Sequence, residues 1–485
     1  MLTRIMMMIA LWLMLSGPAL AVKDDASADK IFDAAVLRAD FDELNLRLQA
    51  AHFDLYARRP KADYDRLYQQ MRKSFVQPLP LSEVRVRFQR FVAYGRVAHA
   101  RIDEASLAYE QFRLQGGKAF PLAIRVVQGR AYVISNLSGD ARVHLGDEIS
   151  KIDAQPLSAL LSQLWAGLSA DNEYMRNTLM EHYFSALLWQ EKGAKASFKV
   201  TLINSAVKQI DIKINARSRA EAESFAKLQP ASLEPDWNAR EATILPSGIA
   251  YLRPGPFYNN DANASNPWDN AAFLHFIEQA FSSFEAKHCN KLLIDLRNNP
   301  GGDNSFSDAM LAHLLKQPFR FASKFRIRVS KETTESNAKR LPDSDAGSIT
   351  QQFAKLYASS ENGAVIDFEL PMAQPSKQQF KGQVIMLINR HSYSNTANVA
   401  ALAQDLRIAK IAGEETSDFA TTLGAMEQFT LSKTGIVVGY PKAQIIRLSG
   451  DLRARGVVPD AVIETPIIPG KTDVVLEQAL LLFEQ

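Results

Sequence analysis

Val384-Ile385-Met386-Leu387-Ile388-Asn389-Arg390-His391-Ser392-Tyr393-Ser394-Asn395-Thr396-Ala397-Asn398-Val399-Ala400-Ala401-Leu402-Ala403-Gln404-Asp405 is the stretch on which the fold turns. Its first five residues, Val384 to Ile388, are apolar and mostly β-branched or long, the length and content of a buried strand. A polar turn follows, Asn389 to Ser394, and then Ala397, Val399, Ala400, Leu402 and Ala403 recur at helical spacing. A serine therefore stands where a buried strand breaks into a helix. The first amides of a helix have no internal partner, and its dipole favours negative charge there. Ser394 can be exposed beside donors suited to an oxyanion; the plainer role for Ser or Asn at such a place is a helix cap.

A second stretch has the same plan. Lys291 to Leu296 reads as a buried strand, runs into Arg297-Asn298-Asn299-Pro300-Gly301-Gly302-Asp303, and feeds a helix from Ser307 to Leu315. In parallel α/β sheets, sites form beyond the carboxyl ends of such strands. Gly301 and Gly302 remove side chains where backbone amides could approach a substrate oxygen, or simply make a tight turn. One turn carrying a serine and one rich in glycine are what acyl transfer requires: a nucleophile, and amides aimed at the developing charge. The region from 240 to 485 is read as one α/β domain. It contains a strand at Gly248–Leu252, a helix at Ala271–Phe284, and strands near Arg326–Val329 and Val365–Glu369 flanking a polar, mobile segment at 331–350.

Outward from this core, the chain has 485 residues, enough for two or three domains, and a formal charge of +3 with scattered basic residues, which gives no nucleic-acid footprint. The N-terminus carries Arg4, an apolar run of 11 residues from Ile5 to Leu15, and Ala19-Leu20-Ala21. That is a signal peptide over 1–21, with no later run long enough to cross a membrane, so the expected location is periplasmic or secreted. Cys289 is the only cysteine, so no internal disulfide is expected, and it reads as a packing residue. Residues 22–118 are helical in pattern. Residues 119–215 change to short strands around Gln128-Gly129, a Leu145-Gly146-Asp147-Glu148-Ile149 turn and a helix at Pro156–Leu164, with a helical insertion from Trp165 to Lys195. Residues 216–239, charged and Ala/Ser-rich with Pro230 and Pro235, read as a linker. No H-E-x-x-H, paired Cys-x-x-Cys or Walker glycine loop is present, so neither metal nor cofactor is expected.

Four elements together resemble the S41 serine peptidases, the C-terminal-processing and tricorn-like proteases. Leu293-Ile294-Asp295-Leu296-Arg297-Asn298-Asn299-Pro300-Gly301-Gly302 is similar to their D-L-R-x-N-x-G-G signature, and Asn389 to Thr396 to their N-R-x-S-A-S-A-S turn. Gly413-Glu414 with Thr416 resembles their G-E-x-T, and Gly456-Val457-Val458-Pro459-Asp460 their G-V-x-P-D. The resemblance implies a ClpP/crotonase-like α/β protease core preceded by a PDZ-like β-rich domain at 119–215 and an N-terminal helical region. It implies a peptide or protein substrate cleaved through an acyl-enzyme. Ser394 aligns with the nucleophile and Ser392 with a structural serine; the amide of Asn395, with one of Gly301 or Gly302, would line the oxyanion hole.

The base departs from part of the family. Members that use lysine have it where this chain has Phe419, which cannot accept a proton, and neither Lys433 nor Lys442 fits the motif. Tricorn-like members use a histidine in a G-x-x-S-H-A context, which Gly95-Arg96-Val97-Ala98-His99-Ala100 resembles, so His99 is the expected general base, with an ordinary pKa near neutrality. Ala98 replaces the family serine, and no glutamate stands in Gly450-Asp451-Leu452-Arg453-Ala454-Arg455, where the orienting one belongs; Asp451 is the available substitute. Nor does Ala119-Phe120-Pro121-Leu122 supply a G-L-G-F carboxylate-binding loop. The expectation is an exported serine peptidase. The alternatives are an S41-like peptide- or ligand-binding protein with impaired catalysis, and an ester hydrolase.

Overall fold

The computed structural model describes residues 29–484 other than 230–234, 343, 345 and 469. The leader read at 1–21 and part of the 216–239 stretch lie outside the described residues. The chain divides into two compact units.

One unit is made of Ser232–Arg326, Asp367–Thr422 and Gln444–Gln485. Its sheet runs, from edge to edge, Ala461–Val462, Lys410–Gly413, Gln383–Ile388, Lys291–Asp295, Ala250–Arg253 and Glu241–Ile244. Only the last pair is antiparallel; the others are parallel, with Leu252 beside Ile294, Ile294 beside Met386 and Met386 beside Ile411. Successive strands are added in one direction, so right-handed crossovers put the connecting helices on one face. On that face Leu292, Ile294, Met386 and Ile388 pack with Phe273, Phe281, Phe284, Phe306 and Leu402 from the helices Ala271–Ala286, Asn304–Leu311 and Asn395–Asp405. Each of those fully buried phenylalanines contributes roughly 2 kcal/mol of burial. The alternate residues Leu293, Ile385 and Leu387 point to the other face, against Val475, Ala479 and Phe483. Burial on both faces explains why these strands read as unbroken apolar runs.

The other unit comprises the described residues up to 229, with Ile327–Ile366 and Leu423–Ala443. Helices Ala34–Ala51, Lys61–Ser74 and Leu81–Ala93 enclose an aromatic core in which the Phe41 ring centroid lies 4.8 Å from Phe91 and 5.4 Å from Phe88. Leu423, Phe429, Val438 and Tyr440 complete that core. Strands Leu122–Val127, Arg130–Asn136, Glu148–Ile152, Ser197–Ile203 and Gln209–Asn215 form an antiparallel sheet in that order. The insertion after Trp165 holds the helix Glu173–Lys192, whose Phe184 meets Phe120 edge-on at 5.5 Å.

Two stretches hold more regular structure than their composition suggests. The segment 331–350, read as mobile, contains the helix Lys331–Ala338 and leads into Ile349–Ala358. Ser330 and Ser348 cap them, accepting from the Thr333 and Gln351 amides. The polar face of the first is buried in hydrogen bonds, Ser336 to Glu427 at 2.5 Å and Asn337 to the Thr350 carbonyl at 3.0 Å, so no apolar stripe marks it in the sequence, whereas the second buries Phe353 and Tyr357. Within 216–239, Arg219–Ala226 is a helix started by a full capping box of Ser218 and Glu221.

Candidate active site

The strands Lys291–Asp295 and Gln383–Ile388 are neighbours, with Asp295 beside Leu387, so their two turns leave the sheet side by side. Asparagines stitch them together. The Asn298 amide donates to Asn389 Oδ1 at 2.9 Å, and Asn389 Nδ2 returns a bond to Asn298 Oδ1 at 2.7 Å. Ser392 is wholly buried; its hydroxyl donates to the Leu296 carbonyl at 2.8 Å and accepts from the Asn389 amide at 3.0 Å. The Tyr393 amide donates to the Asn299 carbonyl at 3.0 Å. Beneath the first turn, burial alone would raise the Asp295 carboxyl, but the charges of Arg253 and Arg297 and hydrogen bonds from Arg297 hold it well below the usual carboxylate range. Arg297 also reaches Asp473 at 2.8 Å, which ties the strand end to the C-terminal helix Val474–Leu481.

Ser394 stands at the N-cap of Asn395–Asp405, yet its side chain makes no cap hydrogen bond. Its backbone is at φ 55° and ψ −123°, a conformation that costs a non-glycine residue about 1–3 kcal/mol. A capping serine has an ordinary extended backbone. A strained serine at a sharp strand-to-helix turn instead presents its hydroxyl outward. Ser394 is half-buried.

The glycine turn lies against it. A Cβ on Gly301 would fall 2.9 Å from the Ser394 Cβ, 2.8 Å from the Asn395 nitrogen and 2.6 Å from the Tyr393 carbonyl oxygen, and a Cβ on Gly302 would fall 2.0 Å from the Phe257 carbonyl oxygen. Both glycines have positive φ, 89° and 138°. Neither position admits a side chain. The Gly301 amide donates to Asn299 Oδ1 at 3.0 Å, and the Gly301 carbonyl accepts from the Phe257 amide at 2.9 Å. Among the described residues the amides of Gly302 and Asn395 have no hydrogen-bond partner. The Asn395 side chain is held by Ser307, Nδ2 to Oγ at 2.8 Å.

The segment Gly413 to Phe419 closes the second turn from below. Arg390 forms a two-point ion pair with Glu414 at 2.7 and 3.1 Å, and the Ser417 amide donates to the Arg390 carbonyl at 3.2 Å. Asp418 is fully buried and accepts the Ser394 amide at 2.7 Å. Phe419 is buried and bridges to Gly456. Sequence reasoning missed Asp418 and the Asn298–Asn389 exchange. The paired asparagines, each just past a buried strand, were a usable signal; for Asp418 the sequence says only that a carboxylate precedes an apolar residue.

His99 belongs to the other unit and is buried. The Ala98 amide donates to Asp171 Oδ2 at 3.2 Å, and Asp171 pairs with Arg58 at 2.8 Å. Arg101 exchanges backbone hydrogen bonds with Gly439 at 3.1 and 2.8 Å and pairs with Asp103 at 2.6 Å. Burial, then the Arg101 charge, depresses His99 to about 3, against a smaller opposing hydrogen bond with the Leu423 backbone. Of the other base candidates, Lys433 is exposed, and Lys442 is buried and paired with Glu427 at 2.7 Å. Asp451 is engaged by its neighbour Arg453 at 2.6 Å, which lowers its carboxyl to about 2. Cys289 packs partly buried against the sheet core, and burial pushes its thiol up.

The architecture is mixed α/β, with a helical N-terminal region and several sheets, and it resembles solved S41-type proteases. Mature CPAF complexed with lactacystin is 15% identical, with a TM-score of 0.59 over 88% of this chain and 94% of that one. A CPAF mutant is likewise 15% identical, with a TM-score of 0.60 over 88% and 93%. At that identity the likeness is one of fold. No curated protein matches the sequence. Residues 269–463, a range that holds both turns, match the model of Peptidase family S41.

Proposed function

We propose that this protein is an exported serine peptidase that cleaves peptide bonds through an acyl-enzyme on Ser394. The observation that carries the reading is the strained, non-capping backbone of Ser394 set against the glycine turn. In this reading Ser394 Oγ attacks the substrate carbonyl, and His99 takes the proton. The amides of Asn395 and Gly302 receive the oxyanion and Gly301 keeps the gap between the turns narrow; the C–N bond then breaks as the proton passes from His99 to the leaving amine, and water hydrolyses the acyl-enzyme to a carboxylic acid and free Ser394. The S41 stretch supports peptides as the substrate class. We further read 240–485 as a ClpP/crotonase-like core and 119–215 as a PDZ-like module. The leader read at 1–21 supports a periplasmic or secreted location; among the described residues no helix is long and apolar enough to cross a membrane.

The test is labelling of the purified protein by a fluorophosphonate probe, with peptide and ester hydrolysis in parallel. The reading expects labelling at Ser394 that is lost in Ser394→Ala and in His99→Ala. Peptidase activity that survives Ser394→Ala sinks it, and ester turnover without peptide cleavage makes the protein an ester hydrolase instead. A second reading, a peptide-binding protein with impaired catalysis, is favoured by the depressed imidazole of His99 together with Phe419 at the lysine position. No labelling at any pH would select it.

A further inference from the structure

We propose that Asp418 is the positioning residue of the Ser394 turn: its carboxylate holds the serine backbone in the conformation that presents the hydroxyl. This rests on Ser394 as the nucleophile, but its structural half stands separately. The carboxylate is fully buried, and its two oxygens are committed to different amides. Oδ2 accepts from Ser394 at 2.7 Å and Oδ1 from Phe419 at 2.9 Å. Only a carboxylate offers both acceptors; an asparagine would turn its NH₂ toward one of the two N–H groups. A charge-assisted bond to an amide is also stronger than a neutral one.

Asp418 is itself fixed. Its carbonyl accepts from Thr416 Oγ1 at 2.8 Å, the same hydroxyl accepts from the Val457 amide at 2.8 Å, and a Cβ on Gly456 would fall 1.9 Å from the Thr416 carbonyl oxygen. The clamp is thus anchored in the G-E-x-T and G-V-x-P-D elements, and it grips the residue whose φ is 55°. A conformation of this kind persists only where its surroundings over-determine it. Asp418 supplies the contact on the amide side of Ser394, as the glycine turn does on the Cβ side. The Ser394 amide is therefore taken, so the oxyanion donors must be its neighbours.

The experiment compares full-length wild type with Asp418→Asn and Asp418→Ala. Saturation kinetics of fluorophosphonate labelling separate the labelling rate from probe affinity, and hydrogen exchange reports the Ser394 and Phe419 amides. The expected result is a labelling rate on the order of 10- to 100-fold lower in the alanine variant, with a smaller loss in the asparagine variant and probe affinity nearly unchanged. A purely structural residue would instead lower the fraction of labelled protein and leave the rate of the folded fraction alone. An unchanged labelling rate in folded Asp418→Ala overturns the proposal. If wild type does not label, the nucleophile reading falls, and the clamp is judged by exchange. Lost protection confined to Ser394 and Phe419 in the asparagine variant upholds it, and protection equal to wild type overturns it.

Discussion

The Ser394 turn and the His99 segment are built alike and end differently. Each is secured by a buried aspartate that accepts a backbone amide, Asp418 from Ser394 and Asp171 from Ala98. Each also borders a residue of positive φ, Ser394 itself in one and Arg96 at 54° in the other. The serine is half-buried and strained, with helix-start and glycine amides beside it. The imidazole is buried and loses its proton affinity to desolvation. Rigid placement is common to both; reactivity is not. A hydroxyl is made useful by geometry and nearby donors, whereas a base needs solvent or a carboxylate to keep its pKa near the working pH.

The largest effect is expected at the serine. Ser394→Ala should lower peptide hydrolysis on the order of 10⁴-fold while the protein stays folded, as read by initial rates and circular dichroism. Next in size is the glycine turn. Gly302→Ala must move the Phe257 carbonyl, which its Cβ would meet at 2.0 Å, and should cost about 3 kcal/mol or more in urea unfolding of the unit that carries it.

The histidine side is sharpened by pH. His99 is depressed from an ordinary 6.5 to about 3, so the unfolded chain binds a proton that the folded chain refuses. Its contribution is whole above about pH 6.5 and is lost as pH falls towards the folded value, roughly 2 kcal/mol by pH 5. His52, depressed to about 3 by burial and then by Arg328, acts in the same direction. His99→Gln should flatten the fall in stability between pH 7 and 5 that wild type shows in urea titrations; an unchanged slope would mean that His99 titrates normally. The smallest effect is the most diagnostic. Ser394→Gly removes the hydroxyl and relieves the positive φ, so it should raise stability by about 1 kcal/mol while abolishing activity. A loss of stability would mean that Ser394 is not strained.

Much of this was legible in the sequence for a physical reason. Val384 to Ile388 and Lys291 to Leu296 are buried on both faces, so hydrophobic runs alone mark them as strands, at Gln383–Ile388 and Lys291–Asp295. The helix Ala271–Ala286 showed through its apolar spacing. The helix Lys331–Ala338 did not show, because its buried face is polar and is satisfied by partners far away in sequence, such as Glu427. At the site, residue types and motif spacing pointed to Ser394 and the glycines. What could not be read was solvation. Nothing in Gly95 to Arg101 tells that His99 is buried, and nothing around Phe419 tells that the carboxylate before it grips the serine amide.

The exchange between Asn298 and Asn389 spans 91 residues, and it joins turns that exist only once their strands lie side by side. Closing a loop of that length is entropically opposed until the sheet contacts reward it, so such pairings come late in folding. The glycine turn that bounds Ser394 on its Cβ side reaches it only through this pairing. The newly made chain therefore carries its serine as an ordinary, relaxed residue, and acquires the poised one only once these two strands have paired.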